Sequence, residues 1–77
     1  MAYEVWRGTR KFHDPLPSLA EARALVEEDL PRSPVLASPF GGTAGIRWVW
    51  NLDILEALND ENGMVAYTIR RAPDPGT

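Results

Sequence analysis

Three segments with alternating apolar and polar residues constrain the fold of this chain more than any other feature of its sequence. They lie at residues 3–7, 46–52 and 64–71. Each segment has the two-residue period of a β-strand with one apolar face. In the first, Tyr3 and Val5 fall on one side of the strand, and Glu4 and Trp6 on the other. The sequence therefore predicts three strands that contribute to one sheet.

A helix is predicted between the first and second of these strands. Ser18 and Glu21 have the spacing of a capping box, and Pro31 ends the helical pattern. Apolar residues recur at helical spacing at Leu19, Ala22, Leu25 or Val26, and Leu30. The acidic residues 27–29 lie in the last turn, where the helix macrodipole disfavours them.

The remaining segments are rich in residues that break regular structure or give mixed signals. Residues 31–45 contain Pro, Gly and Ser and predict a long loop, with Phe40 as its apolar anchor. In residues 52–59, Leu at every third position favours a short helix, although Ile54 also continues a strand alternation. Asn62-Gly63 predicts a chain reversal, either as a helix cap or as a hairpin turn.

These elements predict one small α+β domain. The expected order is β-α-β-(α)-β, with two layers in which one main helix packs on a three-stranded sheet. With 77 residues, the chain is too short for two independent cores. We expect residues 1–72 to form the domain and residues 73–77 to form a flexible tail.

Composition argues against several functional classes. Eight Lys and Arg residues against eleven Asp and Glu give a net charge of −3, which does not favour a protein that mainly neutralises phosphates. The chain has no Cys and one His, so thiolate metal sites, redox motifs and disulfides are excluded. We expect no metal and no cofactor. The sequence shows no signal peptide or membrane span, which favours a cytoplasmic protein.

The sequence motifs that could indicate an enzyme or a metal site are incomplete. Residues 41–45 resemble a phosphate loop, but no Lys-Ser or Lys-Thr follows them, and a strand rather than a helix comes next. A calcium-loop alignment places Leu58 and Ile69 where ligating oxygens are needed. No nucleophile elbow surrounds Ser33 or Ser38. We therefore expect a protein without enzymatic activity.

The most informative prediction concerns the sheet face that the helix leaves uncovered. The alternation assigns to it Glu4, Trp6, Arg47, Val49, Ala66, Thr68 and Arg70. Trp and Arg are enriched at interface hot spots, although an open sheet face also carries basic residues simply for solubility and edge protection.

The preferred hypothesis is a small interaction or regulatory module that binds a protein partner, or its own copy, through this face. Its candidate binding residues are Trp6, Arg10, Lys11, Phe40, Arg47 and Arg70. The alternative is a domain that binds single-stranded nucleic acid on the same face. There Trp6 would stack on a base, and the arginines at positions 47, 70 and 71 would contact phosphates.

Overall fold

The computed structural model describes residues 2–72, which form a five-stranded antiparallel sheet with one α-helix. In chain order the elements are β1 (Tyr3–Arg7), β2 (Arg10–Leu16), α1 (Leu19–Asp29), β3 (Ile46–Asn51), β4 (Ile54–Asn59) and β5 (Val65–Arg71). Two short 3-10 turns, Leu30–Arg32 and Pro34–Leu36, follow α1. The strand order across the sheet is β2-β1-β5-β4-β3. The predicted tail at residues 73–77 lies outside the described range.

The α+β class is confirmed, but the predicted three-stranded sheet and the β-α-β-(α)-β order are wrong. The structure adds β2 and β4, which gives the order β-β-α-β-β-β. Strand β2 was not predicted because it contains Pro15, and proline normally argues against a strand. At the edge of a sheet, however, the missing N–H of proline is tolerated. In β4, the strand alternation prevails over the leucine spacing, and Leu55 and Ala57 point into the core.

The hairpin between β3 and β4 explains why residues 52–59 were wrongly predicted to be helical. The connection is the two-residue turn Leu52-Asp53, and Leu52 adopts a φ of 58°. Turns of this kind usually carry Asn or Gly where φ is positive, so a leucine there gives no turn signal in the sequence. The Asn62-Gly63 reversal is the hairpin turn between β4 and β5, with Gly63 at a φ of 74°.

Helix α1 packs mainly on the central strands β1 and β5 and on β2. Its N-terminus is capped as predicted, because the Ser18 hydroxyl accepts a hydrogen bond of 3.1 Å from the backbone N–H of Glu21. The Glu21 carboxylate accepts a hydrogen bond from the same hydroxyl. The side chains that form the core between the helix and the sheet are almost fully buried, and they include Val5, Val26, Leu36, Tyr67 and Ile69.

The loop between α1 and β3 is anchored by a residue other than the predicted one. Leu36 is fully buried in the core, whereas Phe40 is 93% exposed. Leu36 lies in a 3-10 turn, and its carbonyl accepts a hydrogen bond from the N–H of Ala44. Among residues 2–72, no helix is long and apolar enough to cross a membrane.

The strand register confirms the predicted division of residues between the two sheet faces, except at the start of β5. A register shift between Ala57 and Leu58 places Val65 opposite Leu58, and Ala66, predicted to lie on the uncovered face, is buried in the core instead. Val5 lies opposite Ile69 on the face covered by α1, and Trp6 lies opposite Thr68 on the other face. Trp48 and Trp50 of β3 share the covered side with Leu55 and Ala57. Trp50 is nevertheless 58% exposed, because β3 lies at the sheet edge, away from the main contacts of α1.

Candidate binding face

The candidate site is the side of the sheet opposite α1, which we call the open face. Within residues 2–72, the single α-helix packs on the other side. The register aligns one row of open-face side chains across four adjacent strands: Trp6, Thr68, Glu56 and Val49. A second row begins with Glu4 on β1 and its cross-strand partner Arg70 on β5.

A charged cluster occupies one end of the open face and is centred on Glu4. Lys11 Nζ lies 2.9 Å from Glu4 Oε2, and Arg70 Nε lies 3.5 Å from Glu4 Oε1. The Glu4 side chain is only 11% exposed, whereas the two cations are nearly half exposed. The guanidinium of Arg70 also stacks over the Trp6 ring, 4.3 Å from the ring centroid. We call Glu4, Trp6, Lys11 and Arg70 the open-face cluster.

The surroundings of Glu4 hold its carboxyl in the charged form. The hydrogen bond from Lys11 lowers the pKa of Glu4 below its ordinary value, and the charges of Lys11 and Arg70 act in the same direction. Partial burial of the carboxyl opposes this change but is outweighed. At neutral pH the open-face cluster therefore combines one anion with two cations.

The indole N–H of Trp6 lies near the Glu4 carboxyl but forms no well-aligned hydrogen bond among the described residues. Its Nε1 is buried and has no partner of good geometry among the described residues, although the N–H also helps to lower the pKa of Glu4. Leaving a buried donor unpaired destabilises a protein by about 1–3 kcal/mol. Within residues 2–72, Trp6 is therefore a buried donor without a well-formed hydrogen bond.

The structure brings together three of the six predicted binding residues, namely Trp6, Lys11 and Arg70. Arg47 is on the same face but lies on β3, two strands away from β5. Arg10 is exposed at the turn between β1 and β2, and Phe40 projects from the loop before β3. These three residues do not form part of the open-face cluster.

Two further placements revise the sequence interpretation. Glu4 was predicted to lie on the open face but not to organise it, because its role depends on the pairing of β1 with β5. Arg71, which the nucleic-acid alternative required, lies opposite Tyr3 and therefore on the covered side of the sheet. The contacts of Glu4 could be found only from the register between the first and last strands. The placement of Arg71, in contrast, follows from the same alternation that puts Arg70 on the open face.

A second carboxylate, Asp29, lies on the covered side at the end of α1. It accepts a hydrogen bond from the Tyr67 hydroxyl, and Arg7 Nη1 lies 3.2 Å from its Oδ2. The Arg7 guanidinium is 4.9 Å from the centroid of the Phe12 ring. Burial, together with the hydrogen bond to Asp29, raises the pKa of Tyr67 to about 12. We call Arg7, Asp29 and Tyr67 the covered-face cluster.

Neither cluster has the composition of a metal centre. Within residues 2–72, no group of three or more His, Cys, Asp or Glu side chains could hold a metal ion. The covered-face cluster joins the helix to the sheet, and the open-face cluster presents cations and an aromatic ring at the surface. No protein-family model, curated protein or solved structure matches this chain.

Proposed function

We propose that the protein is a small binding module that docks a protein partner on its open face. The observation that supports this most is the Trp6–Arg70 stack, held at 4.3 Å on a sheet face opposite the helix. Tryptophan and arginine contribute more binding energy at protein interfaces than most other residues. Because Glu4 already orients Arg70, less side-chain freedom is lost when a partner binds.

An interface of standard size would occupy a substantial share of this small protein. A row of four strands spans about 14 Å between its outer strands, since neighbouring strands lie about 4.8 Å apart. A standard interface buries about 800 Å² on each partner, and the accessible surface of this protein is 5219 Å². Docking would therefore cover about 15% of the molecule.

The charges on the open face favour a protein over a nucleic acid. Glu4 pairs with both Lys11 and Arg70, and Glu56 adds a second carboxylate in the central row. A phosphate backbone would meet these anions together with the cations, which weakens the electrostatic attraction that such binding requires. A protein surface with its own mixture of charges can pair with both signs.

The experiment compares substitutions at the centre of the open face and on the exposed side of the helix. Thr68→Arg places a long side chain between Trp6 and Glu56. Ala24→Arg adds the same side chain at an exposed position of α1 and is the matched control. Affinity capture from an extract of the source cells, with and without nuclease, should recover a protein that binds wild type and Ala24→Arg but not Thr68→Arg.

Two outcomes would contradict this proposal. One is a captured protein that binds Thr68→Arg as well as it binds wild type, because its contact would then lie elsewhere. The other is an association that nuclease removes and that weakens steeply with added salt, as expected for phosphate contacts. Trp6→Ala should weaken genuine open-face binding by at least about tenfold, the scale of an interface hot spot.

A further inference from the structure

The two edges of the sheet differ in their ability to accept another strand. Edge strand β2 contains Pro15, carries charges at Lys11 and Asp14, and is bulged twice in its pairing with β1. These are the features by which proteins block strand addition at an edge. Edge strand β3 contains no proline and no acidic residue, and its pairing with β4 is regular over all six residues.

The hairpin geometry determines which backbone groups of β3 are available. The carbonyl of Gly45 accepts a hydrogen bond of 2.9 Å from the N–H of Asp60, so Gly45 belongs to a hydrogen-bonded pair. In an antiparallel ladder, such pairs alternate with pairs that are not bonded to each other. The residues that bond to β4 are therefore Arg47, Val49 and Asn51, and those that direct their N–H and C=O groups outward are Ile46, Trp48 and Trp50.

The available edge is short and has a defined end on each side. At its start, the outward N–H of Ala44 already bonds to the carbonyl of Leu36, so residue 36 occupies the next position along the edge. At its end, the chain turns at Leu52-Asp53 toward β4. An incoming strand can therefore pair with three residues, and a longer extended segment would meet the chain at Leu36.

We propose that this edge binds the same edge of a second copy of the chain, in antiparallel orientation, about a two-fold axis through Trp48. Trp48 then pairs with Trp48 of the second copy, and Ile46 pairs with Trp50 of the second copy. All three outward-facing residues of each copy find partners, and the two sheets join into one continuous sheet. This proposal does not depend on binding at the open face.

Side chains on both sides of the edge suit this arrangement. On the covered side, the exposed Trp50 ring gains an apolar neighbour in Ile46 of the second copy. On the open side, Arg47 lies opposite Val49 of the second copy, with Glu56 of the second copy on the next strand. No ion pair involves Arg47 or Glu56 among the described residues. The dimer brings these opposite charges toward each other across Val49, and this complementarity favours a second copy over an unrelated strand.

The first test measures the mass of the protein in solution by light scattering and sedimentation over a range of concentrations. Wild type should approach twice the mass of the 8.6 kDa chain. Trp50→Pro removes one outward N–H that β4 does not use and should abolish the dimer, while circular dichroism confirms that the sheet remains. Trp6→Ala changes the open face on β1, three strands away from β3, and should leave the dimer unchanged, which separates this contact from the open face.

Charge reversal gives a sharper test that does not depend on the fold of a proline variant. Arg47→Glu and Glu56→Arg each create like-charged neighbours across the two-fold axis, so each variant alone should dimerise about tenfold more weakly. When the two variants are mixed, a heterodimer regains opposite charges at both positions and should form with near wild-type affinity. A wild type that stays monomeric at all concentrations would overturn the proposal, as would single variants that dimerise normally or a mixture that fails to recover.

Discussion

The two carboxylate clusters lie on opposite faces of the same pair of strands, and they differ in what they connect and in how exposed their cations are. Asp29 connects α1 to Arg7 of β1 and Tyr67 of β5, and the Tyr67 side chain is fully buried. Glu4 connects residues within the sheet alone, and its two cations remain nearly half exposed. A carboxylate that joins helix to sheet stabilises the fold, whereas Glu4 orients exposed cations on the face that we propose for partner binding.

Loss of Asp29 should produce the largest effect on stability. Asp29→Ala leaves the buried Tyr67 hydroxyl without its acceptor and Arg7 without its ion pair, which should destabilise the protein by about 3 kcal/mol. Urea unfolding measures the change. The matched control is Glu28→Ala, an exposed acid in the same helical turn, which should change stability by less than about 0.5 kcal/mol. Equal effects of the two substitutions would show that the covered-face cluster does not stabilise the fold.

Alkaline pH should reveal the next largest effect, through Tyr67. Its pKa is raised from 10.0 in the unfolded chain to about 12 in the folded protein. This pKa shift contributes on the order of 2 kcal/mol to the free energy of unfolding. The contribution is fully present below pH 10.0 and is lost as the pH rises to about 12. Urea unfolding between these pH values should show the decline in wild type and a smaller decline in Tyr67→Phe. Parallel pH profiles for the two proteins would contradict the assignment.

Removal of the charge at Glu4 should have a smaller effect. Glu4→Gln weakens two ion pairs whose cations are well solvated, so we expect a loss of about 0.5–1 kcal/mol. Glu27→Gln, at an exposed position of α1, is the control and should be nearly neutral. A loss as large as that of Asp29→Ala would remove the proposed contrast between the two clusters. Weaker capture of the open-face partner by Glu4→Gln would sharpen that contrast.

Acid titration of Glu4 should give the smallest effect of the series. Since its folded pKa lies below the ordinary value of 4.5, its contribution to stability is present above pH 4.5 and is lost as the pH falls through the folded pKa. The stabilities of wild type and Glu4→Gln should therefore converge in acid, as measured by urea unfolding from pH 6 to pH 2. A difference that stays constant over this range would indicate a role for Glu4 other than its charge.

The features that the sequence predicted correctly are those with a local signal. The cap at Ser18 and the opposite orientations of Val5 and Trp6 follow from short-range spacing, and the structure confirms them. The anchor of the long loop could not be predicted, since Leu36 and Phe40 are both apolar and only packing distinguishes them.

Neither cluster could be predicted from local sequence patterns. The pairing of Glu4 with Arg70 requires the register between the first and last strands. Asp29 was predicted to be unfavourable at the end of its helix, but its contacts with Arg7 and Tyr67 compensate for the macrodipole. Sequence reasoning thus assigned the open-face residues correctly except for Ala66, which is buried in the core, and it missed the role of Glu4 in organising that face.

The central position of β1 beside β5 also determines how the protein reaches this structure. Three pairings join neighbours along the chain through tight turns, whereas the pairing of β1 with β5 places residue 3 against residue 71. Closing so large a loop is entropically the most demanding event in folding, and contacts of this kind slow the search for the native state. Glu4 and Arg70 meet only after that closure, so a nascent or partly folded chain lacks the assembled open-face cluster.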